Sequence, residues 1–294
     1  MQTFSLEDRV TLEVLKAVPR DPQLAALART RPPLLFVHGA FCGAWIWEEH
    51  FLPYFADRGW EAYAVSLSGH GNSRDRSRLD HYGMSDYIAD VGEAMAGLKR
   101  PAVLIGHSMG GMVVQKVMDA VPPGAPPAAA VVLMCSLSPW GMAPTSLYMG
   151  TAHPDLLREI AMIQMFGLDA ATPRGMRAAM LSDHVEEADA RRWFDRMQPE
   201  SSLASAQLTW LIPPAPTLFA HTRPPVMVMG AGNDVFVPPW IAEATAQYYQ
   251  ADRLHIFPDT AHAVMLEPHW EEVAESLSAW LDTLAEDTGS RSAA

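Results

Sequence analysis

The sequence is short of the features that mark several large classes of protein. Its two cysteines, Cys42 and Cys135, are too few for a disulfide framework, and neither lies in a metal-type spacing. A reducing, cytoplasmic setting is therefore expected, with no metal and no cofactor. Basic residues number 21 against 34 acidic ones, a net charge of −13 without any basic block, which argues against nucleic acid or an anionic membrane surface as partner. No apolar run approaches the length of a membrane span, and the opening MQTFSLEDRV carries acidic residues and no apolar leader core. Internal repeats are absent, and low complexity is limited to short Pro-rich turns.

What is present is a chain of 294 residues with 49% hydrophobic content, enough to bury one large core. Its most telling stretch is PAVLIGHSMGGMVVQKVM, Pro101 to Met118. An apolar run from Ala102 to Ile105 passes through Gly106-His107-Ser108-Met109-Gly110-Gly111 into Met112, Val113, Val117 and Met118 at helical spacing. The pattern predicts strand, tight turn and helix with Ser108 at the tip, where only Gly106 and Gly110 tolerate the close approach of flanking backbone. A helix N-terminus beneath the serine favours developing negative charge.

The flanking chain alternates strands and helices. Val10 to Val18 reads as an edge strand, residues 20 to 32 as polar turn, and Leu34 to Val37 as a strand buried on both faces. One helix is expected from Ala44 to Arg58, a strand over Glu61 to Leu67, and surface chain from Arg74 to Asp80. Ser85 is the predicted N-cap of a helix carrying Tyr87, Ile88, Val91, Met95 and Leu98 on one face. A strand over Ala128 to Cys135 follows. From Ser138 to Arg223 no strand is evident, only helical pieces such as Leu156 to Met165 and Ala188 to Met197. Alternation resumes with strands at Pro225 to Gly230 and Asp252 to Phe257 and helices at Pro238 to Gln250 and His269 to Leu284, before a frayed DTGSRSAA. The fold class is thus α/β, a doubly wound mostly parallel sheet with a helical cap inserted between two late strands. The predicted division is a core domain of residues 1–137 and 224–294 with a cap of residues 138–223 over the carboxyl ends of the strands.

A serine hydroxyl is a weak nucleophile at neutral pH unless a base takes its proton and a carboxylate fixes that base. Of eleven histidines, three fall beyond the carboxyl ends of strands: His38, His107 and His262. His107 adjoins Ser108, so its ring is directed to the other side of the turn, and His38 is better placed to brace its loop. His262, in the loop after the last strand, is the predicted base. Asp234, in Gly230-Ala231-Gly232-Asn233-Asp234, is the predicted acid, while Asp259, three residues before His262, reads as a turn residue.

The chain resembles the α/β-hydrolase family from Val10 to Leu284, through HGAFCGAW at 38–45, SGHGNS at 68–73, GHSMGG at 106–111, GAGND at 230–234 and the His262 loop. The resemblance implies an oxyanion hole built from the backbone amides of Met109 and Ala40, with Phe41 the second choice to Ala40. Epoxide-opening and dehalogenating members carry aspartate where this chain has Ser108. HGAFCGAWIW is also similar to the plant group of methyl esterases and hydroxynitrile lyases, but the lyases carry threonine in the position of Gly39 and lysine in that of Ala263. Ester hydrolysis on a small to medium, uncharged, largely apolar ester or lactone is what the resemblance implies, by a monomer or homodimer. His38 and Trp45 from the core, and Met142, Met149, Met162, Met165, Phe166 and Trp210 from the cap, are expected around the substrate. Hydrolysis of a carbon–carbon bond in a ring-cleavage diketone, perhydrolase or haloperoxidase-like chemistry, and a non-enzymatic small-ligand receptor are the alternatives.

Overall fold

A single seven-stranded sheet organises the computed structural model, which describes residues 11–119, 127–166, 173–209 and 224–292. Its strands are β1 (Val14–Ala17), β2 (Leu34–Val37), β3 (Ala62–Val65), β4 (Val103–His107), β5 (Ala130–Met134), β6 (Val226–Ala231) and β7 (Arg253–Phe257). They lie in the order β1-β3-β2-β4-β5-β6-β7, with β1 antiparallel to β3 and every other pairing parallel. The chain leaves β2 in one direction, to β3, and later returns to its other side as β4, so β2 and β4 flank the point where the winding reverses. In such sheets that is where a crevice opens at the carboxyl ends of the strands.

The apolar runs are continuous because both faces are covered. Leu34 and Phe36 of β2 face one buried cluster, with Trp47, Phe51 and Phe55, whereas Leu35 and Val37 face another, with Tyr87, Val91 and Met112. The first cluster packs α2 (Phe51–Ala56) and the last helix, α11 (Trp270–Ser292), against the sheet; the second packs α3 (Met84–Leu98), α4 (Met109–Asp119) and α10 (Pro239–Tyr249). The Phe36 and Trp47 ring centroids stand 4.8 Å apart. Burial of each such side chain contributes about 2–3 kcal/mol.

Among the described residues, five helices occupy the interval between β5 and β6: α5 (Ala143–Ala152), α6 (Pro154–Phe166), α7 (Pro173–Met180), α8 (Glu187–Phe194) and α9 (Ser202–Thr209). The polar stretch expected as turn at 20–32 instead contains α1 (Pro22–Thr30). Asp21 caps it, accepting from the amides of Gln23 and Leu24 at 2.8 and 3.0 Å, and Pro22 occupies the first helical position, where its missing N–H costs nothing. The single helix expected over 44–58 is a 3-10 turn, Ala44–Trp47, followed by α2. Residues 76–81, expected as surface chain, form a second 3-10 turn that buries Leu79. α3 begins one residue earlier than its predicted cap, with Gly83 as N-cap and the Asp86 carboxylate accepting from the Gly83 amide at 2.8 Å. The backbone of α11 continues to Ser292, past the predicted end at Leu284, across Gly289 at a propensity cost of about 1 kcal/mol.

Candidate active site

Ser108 stands at the junction of β4 and α4 with φ +54°, a conformation that side chains rarely adopt. Its amide donates to the Met134 carbonyl of β5 at 3.1 Å, and its own carbonyl accepts from the Gly111 amide at 3.0 Å, so neighbouring elements hold the turn. The space is available only because both flanking residues lack side chains. A Cβ on Gly106 would meet the Gly110 carbonyl oxygen at 2.5 Å, and one on Gly110 would collide with the Val37 and His38 carbonyls of the adjoining strand.

Two loops bring the other groups. After β6 and β7 the chains are tied together by Gly232 N–H donating to Phe257 O at 2.7 Å and Asn233 N–H to Thr260 O at 2.9 Å. The Asp234 carboxylate uses Oδ1 to accept from the amides of Phe236 and Val237, both at 2.8 Å, and Oδ2 faces His262 Nδ1 at 2.7 Å. His262 Nε2 lies 2.9 Å from Ser108 Oγ. Asp234 and His262 are 3% and 2% exposed, so this series is shielded from water on the carboxylate side. Asp259, by contrast, is exposed.

Both remaining histidines are buried and neutral by their contacts. His107 Nε2 donates to the His262 carbonyl at 2.9 Å, fixing the backbone of the loop that carries His262. Burial, with the His262 ring second, holds its pKa well below the usual histidine range. His38 Nε2 accepts from the Leu67 amide at 3.0 Å, which leaves Nδ1–H to donate to the Gly39 carbonyl at 2.8 Å. Burial, reinforced by His70, lowers its pKa to about 3. His38 braces its loop and does not line the cavity beside Ser108, which corrects its expected place at the substrate.

A Cys135 sulfur, an Asp234 oxygen and a His262 nitrogen lie within 4.8 Å of one another. Burial and the Asp234 carboxylate push the thiol far above its ordinary range, so it stays protonated, a poor metal ligand and a donor toward Asp234. Cys135 itself has φ +43°.

A cavity of about 160 Å³ lies in front of Ser108 and His262. Ala40, Phe41 and Met109 line it from the core side, and Met142, the N-cap of α5, lines it from the inserted segment. Phe41 adopts φ +63°, and its carbonyl accepts from the Gln198 amide at 2.9 Å. Other expected residues are elsewhere. Trp45 lines a separate cavity of about 30 Å³ with Cys42, Trp193 and Met197, because its ring lies beneath the guanidinium of Arg196, 4.8 Å from centroid to carbon. Met162 is 43% exposed and borders a surface groove with His153 and Val235, since it sits on the outer face of α6, whereas Ile160 and Ala161 face the cavity. Met149 is packed at 1% exposure and does not line the cavity. The side chains of Met165 and Phe166, and Trp210 as a whole, lie outside the described residues.

Several lining residues carry no legible sequence signal. Among them, Thr145, Glu200 and Met180 reach the cavity through the packing of the inserted helices, which no local motif specifies. The Glu200 carboxylate is buried, accepts from Tyr87 O–H at 2.6 Å and the Ser201 amide at 2.7 Å, and faces His70 Nε2 at 3.2 Å. Burial opposes its ionisation, yet His70, Tyr87 and the Ser201 amide together hold its pKa below the usual carboxylate range.

The family model described as "Alpha/beta hydrolase family" matches residues 34–276. Polyneuridine aldehyde esterase from Rauvolfia serpentina is 37% identical over 102 residues, 33% of this chain and 37% of that relative, so the match spans little more than a third of the relative's length. Among solved structures, a thermophilic esterase from Thermogutta terrifontis superposes with a TM-score of 0.70 at 17% identity, covering 93% of this chain and 94% of the other. A bromoperoxidase from Bacillus anthracis superposes at 0.72 with 15% identity, covering 94% and 97%. At such identities the likeness is one of fold. Among the described residues no helix is long and apolar enough to cross a membrane.

Proposed function

The chain belongs to the alpha/beta hydrolase family, and on that premise we propose that it is a serine hydrolase of small to medium carboxylic esters or lactones, working through an acyl-enzyme on Ser108. The observation that carries this reading is the position of His262, its two ring nitrogens 2.9 Å from Ser108 Oγ and 2.7 Å from Asp234 Oδ2. Ser108 Oγ attacks the ester carbonyl carbon as its proton passes to His262 Nε2. The carbonyl oxygen becomes an oxyanion received by the amides of Met109 and Ala40, with Phe41 the second choice to Ala40. The intermediate collapses, the bond to the alcohol oxygen breaks, and His262 returns the proton to that leaving group. Water then attacks the acyl carbon while His262 takes its proton, the acid departs, and Ser108 regains its hydrogen. Asp234 keeps the His262 tautomer that can accept at Nε2.

Sterics support hydrolysis over the lyase alternative. A Cβ on Gly39 would approach His107 Nδ1 and Ser108 Cβ to 2.9 Å, leaving no room for threonine. Ala263 is 1% exposed, and a lysine there would bury its ammonium. In the same reading residues 138–223 act as a cap over the core of 1–137 and 224–294. The two buried free thiols of Cys42 and Cys135 support a reducing, cytoplasmic setting.

Ser108→Ala, with the fold checked by circular dichroism, is expected to lose p-nitrophenyl butyrate turnover by about a thousandfold or more. Equal rates in the variant and the parent overturn the assignment. A carbon–carbon hydrolase would instead bleach a coloured ring-cleavage dienol, a perhydrolase would oxidise halide with peroxide, and a receptor would bind ester without turnover.

A further inference from the structure

The cavity in front of Ser108 is not uniformly apolar. Leu137, Met142, Leu157, Ile160 and Phe236 line it, and so does Thr145, which is 0% exposed. Thr145 Oγ1 has no hydrogen-bond partner among the described residues. Helical threonines ordinarily return their hydroxyl to the carbonyl four residues back. Thr245 does so with the Ile241 carbonyl at 2.8 Å, and Thr209 with that of Ser205 at 3.2 Å. For Thr145 the residue four back is Gly141, which precedes α5 with φ +69° and whose carbonyl accepts from Ser138 Oγ at 3.2 Å. The carbonyl four residues back is therefore engaged elsewhere, and a buried hydroxyl is left without a partner on a residue of the cavity wall.

We infer that Thr145 is a specificity-determining residue whose hydroxyl bonds an uncharged oxygen (carbonyl, ether or hydroxyl) carried by the substrate away from the ester bond that is cleaved. The inference rests on the ester-hydrolase reading and narrows it from apolar esters in general to esters bearing a second, neutral oxygen function. Neutrality follows from the lining, which among the described residues includes the acidic Glu200 and no lysine or arginine to receive a second carboxylate. A site holding a buried polar group discriminates against a ligand that leaves it unpaired, by roughly tenfold or more.

The test compares the all-carbon ester p-nitrophenyl hexanoate with analogues carrying an ether or keto oxygen at each position along the acyl chain. A second series of butyrates places the oxygen along the alcohol. Both are run as kcat/KM against the parent, Thr145→Val and Thr145→Ser, with thermal unfolding recorded for each. The parent is expected to prefer at least one oxygenated ester over its all-carbon partner by about tenfold. Thr145→Val loses that preference, Thr145→Ser keeps it, and an analogue ending in carboxylate is poor throughout. Should Thr145→Val not fold, Thr145→Ala carries the same comparison. Unchanged ratios in the hydroxyl-free variant, or no preference in the parent for any oxygenated ester, overturn the inference. The hydrolase reading fails separately, if Ser108→Ala cleaves the all-carbon ester as fast as the parent.

Discussion

The Gln198 amide donates to the Phe41 carbonyl at 2.9 Å, joining the segment between α8 and α9 to the loop after β2 across 157 positions of sequence. The same residue is 4% exposed, and its side chain makes three further hydrogen bonds. Oε1 accepts from the Gly71 amide at 2.9 Å and from Arg76 Nη2 at 2.6 Å, while Nε2 donates to the Gly69 carbonyl at 2.9 Å. One glutamine thus clamps two core loops, one of which carries Ala40, a proposed oxyanion donor.

Removal of that clamp should be felt both in stability and in rate. Gln198→Ala strands the Gly71 N–H and the Gly69 carbonyl, at about 1–3 kcal/mol per buried unsatisfied group. Loss of about 2 kcal/mol in urea unfolding is expected, with kcat on p-nitrophenyl butyrate falling more than KM rises, because an oxyanion donor acts chiefly in the transition state. A variant with lowered stability and full kcat would reduce Gln198 to a purely structural clasp.

The choice between two carboxylates is open to a direct comparison. Asp234 accepts from two amides and faces His262, whereas Asp259 lies exposed on the surface. Asp234→Asn should lower kcat by up to about ten-thousandfold, as the equivalent change does in a serine protease, through the wrong histidine tautomer. Asp259→Asn should change it less than about twofold, within the range of surface substitutions. The opposite ranking would reassign the acid.

Stability should fall in mild acid for an identifiable reason. His38, with a pKa lowered to about 3, and His107, lowered well below the ordinary range, are neutral in the folded protein near pH 5, while the unfolded chain protonates histidine near pH 6.5. The unfolded state then binds more protons than the native one, so unfolding free energy rises with pH in this window. The contribution is intact above about pH 6.5 and is lost below it, at about 1.4 kcal/mol per pH unit for each histidine. Urea midpoints at pH 7.5, 6.5 and 5.5 should decline in that order, and His38→Gln should flatten the decline by about one histidine's share. A flat parent profile would mean that the two rings charge readily inside the fold.

Much of this arrangement is legible in the sequence, and the reasons are local. β2, β4, β5 and β6 are continuous apolar runs because both faces are covered, and Gly106-His107-Ser108-Met109-Gly110 is constrained by atoms within a few residues and one neighbouring strand. The pairing of Asp234 with His262 could be chosen by position because adjacent parallel strands deliver adjacent loops. α1 stands where polar composition predicts a turn, although Asp21-Pro22 is a cap followed by a first-turn proline. The cavity wall was the least legible part. Whether Met142 or Met162 faces inward depends on how α5 and α6 rotate against the sheet, and a methionine at helical spacing looks alike on either face. Thr145, Gln198 and Glu200 gain their importance from partners, or the lack of one, far away in sequence.

The Gly39 position offers the narrowest test of how tightly the site is built. Its missing Cβ would stand 2.9 Å from His107 Nδ1 and from Ser108 Cβ, nearer than real Cβ atoms come. Neither neighbour can yield freely, since His107 Nε2 is bound to the His262 carbonyl and Ser108 is held by the Met134 carbonyl. Gly39→Ala must therefore displace the loop bearing Ala40, or the turn bearing Ser108, by several tenths of an ångström. Small misplacements of reacting groups cost rate steeply, and a fall in kcat of about a hundredfold is expected. KM should move little, because the cavity wall formed by Leu137, Met142 and Phe236 is untouched. Full kcat in the alanine variant would show that the loop bearing Ala40 has slack, and that the amides of Ala40 and Met109, the proposed oxyanion donors, are not held in a fixed relation by the packing of His107.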